Sequence, residues 1–283
     1  MPIIFDQTGY QYHQGMPWER EALRRIDVTL ETGEIVGVAG ATGSGKSTLL
    51  QLMNGILLPT SGRVLVDGED TRKLKGSHLT ELRKKVGLVL QFPEDQLFEP
   101  TVFRDIAYGP RNLGIRGDEL AERVRWAMAI VGLDFERQQG LSPQVLSGGQ
   151  KRRAAIAGVL AMRPDYLVLD EPAAGLDYEG RQNLLAMIQQ LRKDYGMGIV
   201  MVSHRLSDLL AVCDRAVVLR DGDIVCDGSP RTILTDPDGL AKSGLTAPTV
   251  SRMLHALRSS IPALATDAAD PAEAAAGIAA WLA

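Results

Sequence analysis

The sequence predicts an α/β fold in which a parallel sheet carries a phosphate-binding loop, joined by an antiparallel β subdomain, a helical insertion and a small C-terminal appendage. Three observations predict it. Gly40-Ala41-Thr42-Gly43-Ser44-Gly45-Lys46-Ser47-Thr48 fits G-x-x-x-x-G-K-[ST], between the apolar run 35–39 and a helical stripe of Leu49, Leu50, Leu52 and Met53. Short apolar runs recur at 86–90, 166–169, 198–202 and 216–219, as strands buried on both faces do. From about 92 to 162 the pattern turns helical, with Leu120, Val124, Met128 and Val131 on one face. The expected division is 1–239 for a nucleotide-binding domain, with the insertion at about 92–162, and 240–283 for a helical appendage.

Residues 3–11 and 24–30 alternate, notably at Ile26, Val28 and Leu30, and read as antiparallel strands. Tyr10, Tyr12 and Trp18 gather there in a chain that is only 5% aromatic. Either one ring is exposed and stacks on a purine, or Tyr10 and Tyr12, two apart on a strand, share one packed face.

The phosphate loop follows. Glycines at 40, 43 and 45 reach conformations closed to residues with a Cβ, so successive N–H groups converge on phosphate oxygens. Lys46 adds a point charge for the β- and γ-phosphates, and the Ser47 hydroxyl is a ligand for Mg²⁺. The helix starting near Lys46 points its positive end the same way.

Gly55 reads as a helix stop, 59–62 as a turn, 63–66 as a strand closed into a hairpin by Asp67-Gly68, and 77–85 as a helix. The strand at 86–90 ends at Gln91. Ligands gather outside the carboxyl ends of parallel strands, so Gln91 either orients a water and touches Mg²⁺ or is an ordinary loop residue.

Near the end of the insertion stands Leu146-Ser147-Gly148-Gly149-Gln150, followed by small apolar residues. A serine N-cap beside glycines leaves free N–H groups at a positive helix end, a ready anion site. Two such helix starts, far apart in one chain, invite pairing between subunits.

The strand at 166–169 ends in Asp170-Glu171-Pro172. Its successive side chains point opposite ways, so the acids divide the work of a phosphate-loop NTPase: Asp170 holds the Mg²⁺ shell and Glu171 reaches the water that attacks the γ-phosphate. A positioned base contributes roughly 10²–10⁴-fold. After a turn at Ala174-Gly175-Leu176-Asp177 and a helix to about Asp194, the strand at 198–202 ends at Ser203-His204. His204 is either structural or a hydrogen-bond partner of the γ-phosphate. Residues 216–219 and 224–226 pair as a hairpin about Asp221-Gly222, and an alanine-rich tail at 272–283 carries no chemistry.

A net charge of −4 leaves no global basic footprint for nucleic acid. The two cysteines, Cys213 and Cys226, form neither metal-ligand spacing nor a disulfide framework, so a reducing cytosol and buried thiols are expected. No apolar run reaches the ~18 residues of a membrane span, which assigns any membrane role to a partner.

The order of these motifs resembles the ATP-binding subunits of ABC transporters over nearly the whole chain. The resemblance implies an ATPase working with ATP and Mg²⁺, paired head to tail with a second ATPase subunit, a paralogue or a copy of itself. Each ATP would lie between one phosphate loop and the Ser147, Gly148, Gly149 and Gln150 of the other subunit. It implies Glu171, His204 and Gln91 as catalytic residues, Ser47, Gln91 and Asp170 around Mg²⁺, Asp177 at the interface and Tyr12 stacked on adenine.

Gln91-Phe92-Pro93-Glu94-Asp95-Gln96-Leu97-Phe98 and Pro17-Trp18-Glu19-Arg20 look more finely like energy-coupling factor (ECF) importers, the latter like their second ATPase type. That implies a transmembrane coupling subunit, a separate substrate-binding membrane protein, a vitamin or metal ion as cargo, and a peripheral place on the cytoplasmic face. Ala173 and Tyr178 depart from the threonine and proline often found beside the Gly-Leu-Asp turn, without removing a group that has a chemical role. Leu97 and Phe98 either anchor a membrane partner or pack the insertion onto the core. A cobalt or nickel ABC importer is the runner-up. Nucleic-acid and ribosome relatives want a long coiled coil, zinc cysteines or two ATPase units, none of which is present.

Overall fold

The chain builds two sheets because it carries two kinds of strand. A computed structural model describes residues 2–258, 260, 261, 264–268 and 270–282. In it β1 (Ile3–Tyr12) pairs antiparallel with β2 (Arg20–Leu30), from Ile3 opposite Leu30 to Tyr12 opposite Arg20. Strand β2 begins at Arg20 rather than at residue 24, because register shifts about Tyr10 let the pairing run on past the alternating stretch. Strand β3 (Ile35–Gly40) leads through the phosphate loop into α1 (Lys46–Met53), and Gly55, at φ 67°, turns the chain out of that helix as expected. Strands β4 (Ser61–Val66) and β5 (Glu69–Asp70) turn at Asp67-Gly68, both at positive φ as a two-residue hairpin requires. The order of this antiparallel sheet is β2-β1-β4-β5.

Helix α2 (Ser77–Lys85) precedes β6 (Val86–Val89), and the helical insertion then supplies α3 (Val102–Asn112), α4 (Gly117–Ile130), α5 (Phe135–Gln138) and α6 (Gly148–Leu160). Strand β7 (Tyr166–Asp170), α7 (Tyr178–Tyr195), β8 (Gly198–Val202), α8 (Leu206–Val212), β9 (Arg215–Arg220) and β10 (Asp223–Gly228) complete the core. The second sheet has the order β10-β9-β3-β8-β7-β6, parallel except for the β9–β10 hairpin. Its strands read as unbroken apolar runs because each face meets a different core. Ile35 and Ala39, Leu167 and Leu169, and Ile199 and Met201 enter the core shared with α3, α4, α6 and α7. Val36 and Val38, Tyr166 and Val168, and Val200 and Val202 enter the core shared with α1 and the antiparallel sheet.

Helices α9 (Pro230–Leu234), α10 (Pro237–Lys242), α11 (Thr249–Arg258) and α12 (Pro271–Leu282) follow. The boundary expected at 239/240 falls inside α10, and Leu240 and Ala247 are buried in the first core. The alanine-rich tail is helical over its described part and is tied to α9 by the fork of Arg231 on Glu273 at 2.8 Å; its last residue, Ala283, lies outside the described residues.

Candidate nucleotide site

Parallel pairing brings the ends of β3, β7 and β8 to one edge, and the expected site residues follow from that. Gly43 and Gly45 take φ of 83° and 106°, and a Cβ at Gly45 would stand 2.6 Å from the Ala22 carbonyl, so the loop needs glycine there. The hairpin tip at Gly222 closes on the loop by donating its N–H to the Ser44 carbonyl at 3.2 Å. Lys46 is buried, and its Nζ donates to the carbonyls of Gly40 (2.8 Å) and Ala41 (2.9 Å). Burial pulls its pKa below the ordinary lysine value, while the charges of Glu171 and Asp170 pull the other way. Both acids therefore face the lysine electrostatically.

Asp170 is buried at the end of β7. Glu171 follows at φ 51°, an uncommon left-handed conformation for a residue with a Cβ. Its N–H donates to the Val202 carbonyl at 3.2 Å, and the His204 N–H returns a bond to its Oε2 at 3.2 Å. His204 Nε2 stands 3.3 Å from Oε1, an ion-pair distance without hydrogen-bond alignment, so that oxygen has room for another donor. Burial raises the Glu171 pKa; the His204 N–H, the His204 ring and Lys46 lower it, and Asp170 raises it, leaving it above the usual carboxylate range. A carboxyl of raised basicity, held by its neighbours yet keeping one oxygen free, suits proton abstraction.

Tyr12 ends β1 with its hydroxyl 3.0 Å from Thr48 Oγ1, and its ring meets Tyr10 edge-on at 4.8 Å. The pair thus packs together while Tyr12 also reaches the first turn of α1. Gln91 lies exposed just past β6. Phe92 follows at φ 53°, and Pro93–Gln96 form a single 3₁₀ turn. Of the two residues expected beyond it either to anchor a partner or to pack the insertion onto the core, Leu97 is half-buried and packs against the first core. Phe98 is 66% exposed and stands edge-on to the exposed Tyr108 at 5.0 Å.

Ser147 caps α6 as expected, and a capping box joins it to Gln150: Ser147 Oγ accepts from the Gln150 N–H at 3.3 Å, and Gln150 Oε1 accepts from the Ser147 N–H at 2.9 Å. The Gln150 side chain is thus committed to its own helix. Asp177 caps α7 through Gly180 N–H at 2.7 Å and lies exposed. Ser147, Gly149, Gly175 and Asp177 line one open cavity of about 750 Å³ that no phosphate-loop residue reaches.

Three residues of the site were given no role in the sequence. Arg20 places its Nη2 3.4 Å from the Gly43 carbonyl. Arg152 and Glu94 form a fork across the insertion, with distances of 2.9 and 2.6 Å. No local signal marked Arg152, which stands between Lys151 and Arg153 in the same helix.

Residues 23–174 match the sequence profile of the ABC transporter family. The chain is 49% identical to the energy-coupling factor transporter ATP-binding protein EcfA2 of Clostridium perfringens, over 91% of this chain and 90% of the relative. It is 43% identical to the protein of that name from Acetivibrio thermocellus, over 97% and 96%. Among solved structures it superposes on CbiO1 of C. perfringens, described as part of the ABC transporter complex CbiONQ, with TM-score 0.75 and 32% identity over 89% of this chain and 98% of that one. It also superposes on the dimeric ABC cassette MJ0796 in a post-hydrolysis state with ADP and phosphate, with TM-score 0.72 and 27% identity over 81% and 98%. The chain belongs to the ABC transporter ATPases, in the group of the energy-coupling factor ATP-binding proteins.

Proposed function

We propose that this chain binds and hydrolyses ATP to drive an ECF-type importer of a vitamin or metal ion, as one of two ATPase subunits closing head to tail on the cytoplasmic face of the membrane. The observation that carries the reading is the carboxylate of Glu171, gripped by His204 and placed electrostatically against Lys46. In it the phosphate loop and Lys46 hold the triphosphate, Glu171 takes the proton of the attacking water, and His204, 54% exposed at its side chain, is open to the γ-phosphate. Tyr12, next to the first turn of α1, takes the adenine face.

Mg²⁺ prefers hard oxygen donors with substrate phosphates completing its shell. Ser47, Asp170 and Gln91 offer a hydroxyl, a carboxylate and an amide oxygen, and the buried Asp170 acts on the same lysine as Glu171, so the residues fit the ion. When bound, it neutralises charge on the β- and γ-phosphate oxygens.

No helix among the described residues is long and apolar enough to cross a membrane. In this reading the chain reaches the membrane through a transmembrane coupling subunit, beside a separate substrate-binding membrane protein. The second reading is a cobalt or nickel system. A pull-down from native membranes separates the two: an ECF assembly brings down a substrate-binding membrane protein and a second ATPase, recovery of other membrane subunits without these supports the second reading, and recovery of nucleic acid or ribosomes without membrane subunits would overturn both.

A further inference from the structure

We infer that Arg152 is a positioning residue through which the two nucleotide sites of the paired ATPases sense one another. Its guanidinium is almost wholly buried and joins two other segments of the chain to the helix that carries it. Nε and Nη2 fork onto Glu94, at 2.9 Å to Oε2 and 2.6 Å to Oε1. Nη1 donates to the carbonyls of Pro172, at 3.4 Å, and of Ala174. Its own backbone lies in α6, in the second turn after the Ser147 cap.

Each contact leads to a different working group. Glu94 sits in the 3₁₀ turn that follows Gln91 and Phe92. Pro172 and Ala174 lie in the loop that leaves Glu171 and arrives at Asp177. Helix α6 presents Ser147, Gly148 and Gly149. In the head-to-tail pair proposed above, on which this inference rests, Gln91 and Glu171 serve the ATP on this subunit's own phosphate loop, whereas Ser147 serves the ATP on the partner's. Arg152 therefore ties the groups that read one ATP to the helix end that holds the other.

A planar guanidinium suits this task because its fixed fork engages a carboxylate and still leaves a nitrogen for carbonyls, which a lysine ammonium at the same place does less well. Such a pair is also costly to break from one side, since the remaining charge is left buried. Displacing the turn after Gln91 must then carry α6 with it or strip Glu94 of its partner. Burial raises the Glu94 pKa, but the hydrogen bonds and charge of Arg152 outweigh it, and the carboxyl stays below its ordinary range and ionised. The fork is held at neutral pH.

The test is ATP hydrolysis as a function of ATP concentration by the purified complex of this chain with its second ATPase and membrane subunits. Glu94→Gln and Arg152→Lys avoid the uncompensated charge of an alanine variant. Each should lower kcat, by up to about 10²-fold, and bring a Hill coefficient above 1 in the wild type down to about 1, while ATP binding by the isolated full chain is unchanged. The double variant should be no worse than either single one, because the two side chains act as one unit. A lowered melting temperature with kcat and Hill coefficient unchanged would make the pair merely structural and overturn the proposal. So would additive losses in the double variant, or a wild-type Hill coefficient of 1. A wild-type complex that hydrolyses no ATP would instead overturn the functional reading beneath it.

Discussion

His204 holds Glu171 from two sides: its N–H reaches Oε2 at 3.2 Å and its ring Nε2 stands 3.3 Å from Oε1. The two residues end neighbouring parallel strands, β7 and β8, in which Asp170 is registered against Val202. Sheet register therefore brings the candidate base close to its orienting partner. The positive φ of Glu171 turns its side chain out of the strand's alternation to receive both contacts.

Lys46→Ala is expected to fail at nucleotide binding. The ammonium is held ready by the Gly40 and Ala41 carbonyls, and a charge-assisted contact to phosphate is worth about 1.5–3 kcal/mol, or about 10–100-fold in affinity. Titration calorimetry with ATP checks it, alongside a circular dichroism spectrum to confirm the fold. Wild-type affinity would remove this loop as the nucleotide site.

Acid should loosen the Glu94–Arg152 fork. The folded-state pKa of Glu94 is depressed, so its stabilising contribution is fully present above the unfolded value of about 4.3 and is lost as pH falls through the lower folded value. Glu94→Gln lacks that titration. The melting-temperature gap between wild type and variant should be constant from neutral pH down to about 4.3 and narrow below it. A gap that widened on acidification would show that the carboxyl is raised instead.

Leu97 and Phe98 should separate folding from docking. Leu97→Asp sets a carboxylate against the first core and should destabilise by about 1–3 kcal/mol, read in urea unfolding. Phe98→Asp alters an exposed ring and should leave folding and ATP binding intact while weakening assembly with the transmembrane subunit, read by co-purification. Normal assembly of the Phe98 variant would place docking elsewhere.

What was legible in the sequence was whatever neighbours in sequence decide. The phosphate loop, the helix cap at Ser147 and the doubly buried strands depend on contiguous residues whose types dictate the local backbone. The Asp221-Gly222 hairpin was equally plain, but its tip closing on Ser44 was not, because that bond joins parts of the chain far apart in sequence. The Arg152–Glu94 fork spans 58 positions and leaves no periodicity. Leu97 and Phe98 are both apolar, and only tertiary packing decides that the first is half-covered and the second exposed. Strand β2 outran its alternating stretch because its partner β1, rather than its own pattern, sets where pairing stops.

The central claim is that Glu171 is the base of an ATPase, and steady-state hydrolysis by the assembled complex carrying Glu171→Gln tests it most directly. The substitution keeps the size of the side chain and an acceptor for the His204 N–H, but removes the proton acceptor. Turnover should fall by about 10²–10⁴-fold while ATP is still bound and accumulates unhydrolysed between paired subunits. Near-normal hydrolysis by that variant would contradict the account.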